Sequence, residues 1–207
     1  MNSKEESSLV KMSFRLSLNP APLGFQEIMI DLETASTQFN AAILTIGAIK
    51  FNSYDSKCKD KLEEMNTFYR RIDLASQVNC HVDPKTMEWW QSQSEDAKNE
   101  VFGNDSNRIP IQQALTEFAS WIGNKETVVW ANGTDFDCTI LRESYRLIGK
   151  ELPWKFWNQR DTRTVYALAD VRLKNHVGKD SQKHHALYDC YSQIQALRTS
   201  LVALGFV

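Results

Sequence analysis

Asp31 and Glu33 close an apolar run, Ile28-Met29-Ile30-Asp31-Leu32-Glu33-Thr34, with one leucine between them. Side chains alternate faces along a strand, so in a strand both carboxylates leave one face, roughly 7 Å apart. Such a pair repels and loses hydration together, and it calls for a proton, an arginine or a cation. A hard divalent metal is the partner its oxygens suit. By itself Asp-x-Glu is short and common, and a solvated strand end would carry the same residues.

Two later clusters add to it. In Asn132-Gly133-Thr134-Asp135-Phe136-Asp137, two acids flank a phenylalanine at an expected helix start. Asp135 is placed to cap that helix, and Asp137 would then turn back toward the sheet. In His184-His185-Ala186-Leu187-Tyr188-Asp189, His185 and Asp189 share a face if the helix covers both, whereas His184 would lie in the loop before it. Four acids at the ends of core elements make a cage for two divalent ions about 3.5 to 4 Å apart, the arrangement that assists phosphodiester hydrolysis. A histidine beside them can take the proton of the attacking water near neutral pH.

These residues need elements to hold them. Glu27 to Leu32, Ala42 to Phe51, Asn66 to Ile72 and Thr127 to Ala131 read as strands, with Gly47 marking a close approach or a bulge. Asp83-Pro84 opens a helix that carries Met87, Trp89 and Trp90. Further helices are expected over Ile111 to Ile122, Asp135 to Ile148, Thr162 to Asp170 and His185 to Ala203. Pro153 to Asn158 packs three aromatics into six residues, either anchoring a loop or stacking on a substrate. Residues Met1 to Gln26 are polar and without a period, and are read as an extension outside a single domain spanning 27–207; Val171 to Ser181 reads as a loop.

The 207 residues suffice for one α/β domain with a sizeable core. No apolar run could cross a bilayer, and the first residues are acidic where a signal peptide would be basic, so a cytoplasmic chain with no membrane partner is expected. Four dispersed cysteines suggest neither zinc nor a disulfide framework. Charge is uneven: Met1 to Leu141 holds 13 basic and 20 acidic residues, Arg142 to Lys183 holds 10 and 5. A polyanion would meet the second region first, although a basic solvated face would look the same.

With these motifs in order, the chain resembles the DEDDh 3′-to-5′ exonucleases of the ribonuclease-H-like superfamily. Asp31-Leu32-Glu33-Thr34, Phe136-Asp137 and His184-x-Ala186-x-x-Asp189 carry the match. Asp83-Pro84-x-Thr86-x-Glu88-Trp89-Trp90 and Phe156-Trp157-Asn158-Gln159-Arg160-Asp161-x-Arg163-Thr164 are similar to the RNase AS and phage-type branch, which has RNA-directed and DNA-directed members. The resemblance implies an α/β fold with a central mixed sheet flanked by helices. It also implies two Mg²⁺ or Mn²⁺ ions on Asp31, Glu33, Asp137 and Asp189, and His184, not His185, as general base. Asp135 stands where that branch usually has a small neutral residue, so an extra negative charge is expected near the metals. The implied partner is single-stranded nucleic acid with a free 3′ end, and a homodimer is implied because related enzymes often form one. For substrate contact the candidates are Leu32 and Thr34 at the terminal nucleotide, Trp90, Phe136 and Trp157 for stacking, and Arg160 and Arg163 for phosphate, unless these arginines pair with acids. A non-catalytic binding module on the same fold is the competing reading; the filling of all five catalytic positions weighs against it.

Overall fold

The computed structural model describes residues 26–54, 61–103, 107–176 and 184–207. The expected extension up to residue 25, part of the polar stretch after residue 54 and residues 177–181 of the expected loop lie outside the described residues.

The central strand is β1 (Glu27–Thr34), buried on both faces, which is why its apolar run is nearly continuous. It pairs antiparallel with β2 (Ile43–Phe51), and β2 pairs antiparallel with β3 (Asn66–Ile72). The remaining strands are the two-residue β4 (Arg108–Ile109), β5 (Val128–Ala131) and the three-residue β6 (Gln159–Asp161). The six form one mixed sheet in the order β4-β3-β2-β1-β5-β6. Among the described residues six α-helices accompany it: α1 (Pro84–Gln91), α2 (Glu95–Phe102), α3 (Ile111–Ile122), α4 (Thr134–Leu147), α5 (Thr162–Ala169) and α6 (Ala186–Ala203). None of the described helices is long and apolar enough to cross a membrane.

Alternation along β1 sorts the core. Ile28, Ile30 and Leu32 pack with Leu115 and Phe118 of α3 and Leu141 and Tyr145 of α4. Met29 and Ile49 pack with Tyr166 of α5 and Cys190, Ile194 and Leu197 of α6. The odd-numbered row of β1 thus runs Met29, Asp31, Glu33, and its side chains change from apolar to acidic toward the end of the strand. Gly47 lies opposite Asp31 in the pairing and is a close approach, not a bulge: a Cβ there would stand 2.6 Å from Ala186 at the start of α6. The irregularity in the β1–β2 ladder falls between Glu33 and Thr34.

Strands β4 and β6 and helix α2 lie where the sequence pattern suggested none. The two strands are too short to show a period, and α2 buries only Ala97 and Val101. The aromatic run after Pro153 contains a 3₁₀ turn, Phe156–Asn158, leading into β6.

Candidate active site

The site grows out of a strand that outlasts its neighbour. Gln26 O accepts from Val128 N at 2.9 Å, so the amides of residues 28, 30 and 32 also face β5. β5 stops at Ala131, opposite Ile30. The Leu32 N–H lies beyond that end and donates to Asp137 Oδ1 at 3.0 Å. This bond brings the first turn of α4 against the end of β1, and a carboxylate in a first helical turn is favoured by the helix dipole.

The N-terminus of α4 is capped from a distance. Its N-cap is Gly133, whose φ of 112° disfavours other residues, and Asp161 Oδ2 accepts from Thr134 N at 2.9 Å. Asp161 Oδ1 also accepts from Arg163 N at 2.9 Å, so one carboxylate caps α4 and α5 together. Asp135, expected to cap α4 or to add charge near the metals, is instead exposed on the outer side of its first turn.

From the other face, α6 brings Asp189 and Gln193 to β1. Gln193 Nε2 donates to Asp31 Oδ1 at 2.8 Å, while its Oε1 is buried without a hydrogen-bond partner among the described residues. His185 is the N-cap of α6: its Nδ1 accepts from Leu187 N at 3.3 Å and its ring stacks on Tyr69 at 4.8 Å. Its sharing of a helical face with Asp189 is thereby ruled out. His184, in the left-handed region with φ 61°, is the histidine that meets the acids. Glu33, His184 and Asp189 each offer one ligand atom, all within 4.8 Å of one another.

The electrostatics are those of crowded anions. Burial, then the charges of Asp137, Asp189 and Glu33, hold Asp31 well above the ordinary carboxylate range, and the Gln193 hydrogen bond opposes this. Burial, then Asp189 and Asp137, does the same to Glu33. Burial pushes Asp137 up to about 7 despite the Leu32 amide and the Arg163 charge, and pushes Asp189 up to about 6 despite a backbone hydrogen bond from His184. Such groups welcome either protons or cations.

Beside the acids lies a cleft of about 450 Å³ whose lining includes Leu32, Glu33, Thr34, Thr86, Trp89 and Phe136. Trp90 also borders it but is only 1% exposed, and its Nε1 donates to Thr34 O at 2.9 Å. It leaves no ring face for stacking and serves to fix the backbone at Thr34. Trp89, named in the sequence motif but not among its stacking candidates, is 44% exposed and meets the His184 ring edge-on at 4.9 Å. Met87 and Trp90, three residues apart, share the inner face of α1, and that spacing was the signal that Trp89 faces outward.

The other candidates divide. Arg163 stands beside the start of α4, its Nη1 within 2.8 Å of where a Cβ on Gly133 would be, and its charge reaches Asp137. Arg160 turns away from the acids and donates to the carbonyls of Trp157 and Gln159 at 2.8 and 2.9 Å. Trp157 precedes β6, at the end of the parallel strands remote from the acids. It is not a wall of the cleft.

A mixed sheet of this order with acids gathered at the end of its central strand is the ribonuclease-H-like fold. The chain belongs to the family of the 3′-5′ exoribonuclease Rv2179c-like domain, whose profile matches residues 26–201. It is 28% identical over 203 residues to the exodeoxyribonuclease of enterobacteria phage T4, covering 84% of this chain and 88% of the phage protein. Among solved structures it is similar to Escherichia coli exonuclease I in a zinc-bound complex with single-stranded DNA, with TM-score 0.64 and 13% identity, covering 86% of this chain and 41% of the other. Against the same enzyme with a dA16 oligonucleotide the TM-score is 0.61 at 14% identity, covering 88% and 42%. The chain therefore spans less than half the length of exonuclease I, and this likeness speaks for the fold.

Proposed function

We propose that this exonuclease hydrolyses the last phosphodiester bond at the 3′ end of a single strand, releasing nucleoside 5′-monophosphates with the help of two divalent cations. The carrying observation is the convergence of Asp31, Glu33, Asp137 and Asp189 on one strand end, each with its pKa raised by burial. These four are the residues that would hold Mg²⁺ or Mn²⁺, since oxygen donors short of compensating charge suit a hard cation. When bound, such ions supply charge stabilisation for the nucleophile and leaving group. His184 accepts the proton of the attacking water, steered by the edges of Trp89 and Trp90. Leu32 and Thr34 border the terminal nucleotide, whose base stacks between Trp89 and Phe136. Arg163, beside Asp137, meets a backbone phosphate.

Aromatic stacking reads neither base nor sugar, so the cleft is suited to 3′ ends of any sequence. The family description speaks of RNA and the name of the phage relative of DNA. Matched RNA and DNA strands, each labelled at the 5′ end, decide between them. The expected result is a ladder shortening from the 3′ end that requires Mg²⁺ or Mn²⁺ and is lost in Asp31→Ala. Equal activity of that variant and the unaltered protein would refute the assignment.

A further inference from the structure

Strand β6 is an edge of the sheet, and an unusual set of side chains lies along it. Phe156 and Trp157, in the turn that feeds it, are 67% and 58% exposed and meet edge-to-face at 4.9 Å. Together they form a contiguous apolar patch beside charged groups. The Arg160 guanidinium lies over the carbonyls of Trp157 and Gln159. Arg163 follows at the other end of the strand, close enough to Asp137 to oppose its rise in pKa. Neither arginine forms an ion pair with an acid among the described residues. Asp161, the acid between them, has its oxygens engaged by the Thr134 and Arg163 amides. Lys155, which pairs with Glu126, also holds its ammonium 5.5 Å from the Trp157 ring centre.

We infer that the β6 edge is a track for the body of the single strand whose 3′ end occupies the active site, with Phe156 and Trp157 stacking bases and Arg160 and Arg163 meeting phosphates. This rests on the exonuclease reading above and extends it to nucleotides that are not cleaved. Charge complementarity selects the occupant: two guanidinium groups without an ion pair among the described residues, beside aromatic faces, match a flexible polyanion with exposed bases, and suit an apolar protein partner poorly. Continuity supports it too, because Arg163, just past the end of β6, brings its charge to Asp137 of the acid cluster. From Asp161 back to Trp157 is roughly 12 Å at strand and 3₁₀ rises, the length of about three or four nucleotides at stacked spacing. The track therefore begins to matter only for substrates longer than a few residues.

The test compares a trinucleotide with a fifteen-nucleotide strand on the full chain with Mg²⁺. For Phe156→Ala/Trp157→Ala, kcat/KM on the long strand is expected to fall about tenfold or more, through KM, with less than a twofold change on the trinucleotide. Trp157→Phe, with Phe156 kept, should restore most of the loss. Arg160→Ala should reduce the salt dependence of long-strand binding by about 0.7 in log–log slope, the release from one phosphate of a single strand. Circular dichroism confirms that each variant is folded. If both substrates lose activity equally, or neither does, the track is refuted while the exonuclease assignment stands. A variant that changes the subunit number in light scattering and affects both lengths alike would make the patch an interface between copies and also overturn it. Failure of the unaltered protein to cut either length refutes the assignment itself.

Discussion

Replacing Gly47 with alanine adds one methyl group where β2 and α6 touch. Gly47 is not among the glycines with positive φ, so its backbone conformation is open to alanine, and Gly→Ala alone would stabilise by roughly 0.4–1 kcal/mol. The added Cβ, however, would lie 2.6 Å from both the carbonyl carbon and the Cβ of Ala186. Ordinary carbon contacts begin near 3.5 Å, so the first turn of α6 must retreat by about 1 Å. That turn carries Asp189 and follows His184 by two residues, while Asp31, opposite Gly47, stays with the sheet. The acids are thus pulled apart from two sides of the site. Overpacking of this kind costs about 1–3 kcal/mol, which for a chain of this size lowers Tm by roughly 2 to 12 °C. A misplacement of about 1 Å costs on the order of a hundredfold in rate. Thermal melting and digestion of a labelled strand below the melting point measure the two effects separately. Activity within threefold of the unaltered protein, with Tm unchanged, would show that α6 is not held to the site through this contact.

Two further outcomes follow from the acids and their neighbours. Asp137 and Asp189, with pKa values of about 7 and about 6 in the fold, bind protons more tightly there than in the unfolded chain, where they titrate near 4. Metal-free stability should therefore fall as pH rises from about 4 to about 7, with the cost fully present above that window. Differential scanning fluorimetry should show Tm in chelator falling between about pH 4 and about pH 7 and the gain on adding Mg²⁺ growing over the same interval; a gain that shrinks would contradict the site's charge. Gln193→Leu removes the donor to Asp31 and should raise the half-saturating Mg²⁺ about ten- to a hundredfold, with kcat largely recovered at saturating metal. A lower Tm with an unmoved Mg²⁺ requirement would mean that Gln193 only fills space.

The four acids are prominent in the sequence because Asp31 and Glu33 close an apolar strand and Asp137 and Asp189 open apolar helices. Their supports are far less visible. Gln193 is a neutral amide in mid-helix, and nothing local marks it as the partner of a residue 162 positions earlier. Asp161 looks like an acid for Arg160 or Arg163 to pair with, whereas its work is to cap two helices, one of them 27 residues upstream. Trp89 and Trp90 have the same chemistry, and only the turn of α1 decides which is enclosed. Trp157 is a stacking candidate by residue type alongside Trp90 and Phe136, but β6 runs parallel to β5 and so carries Trp157 away from the acids.

The bond from the Leu32 amide to Asp137 makes the shortness of β5 a working dimension of the protein. Were β5 longer by two residues in the same register, a backbone carbonyl would compete for that N–H and Asp137 would lose its anchor. The step from Ala131 through Asn132-Gly133 into α4 has no room to lengthen, so the distance between a strand's end and a helix's beginning sets where the enzyme's charge is placed.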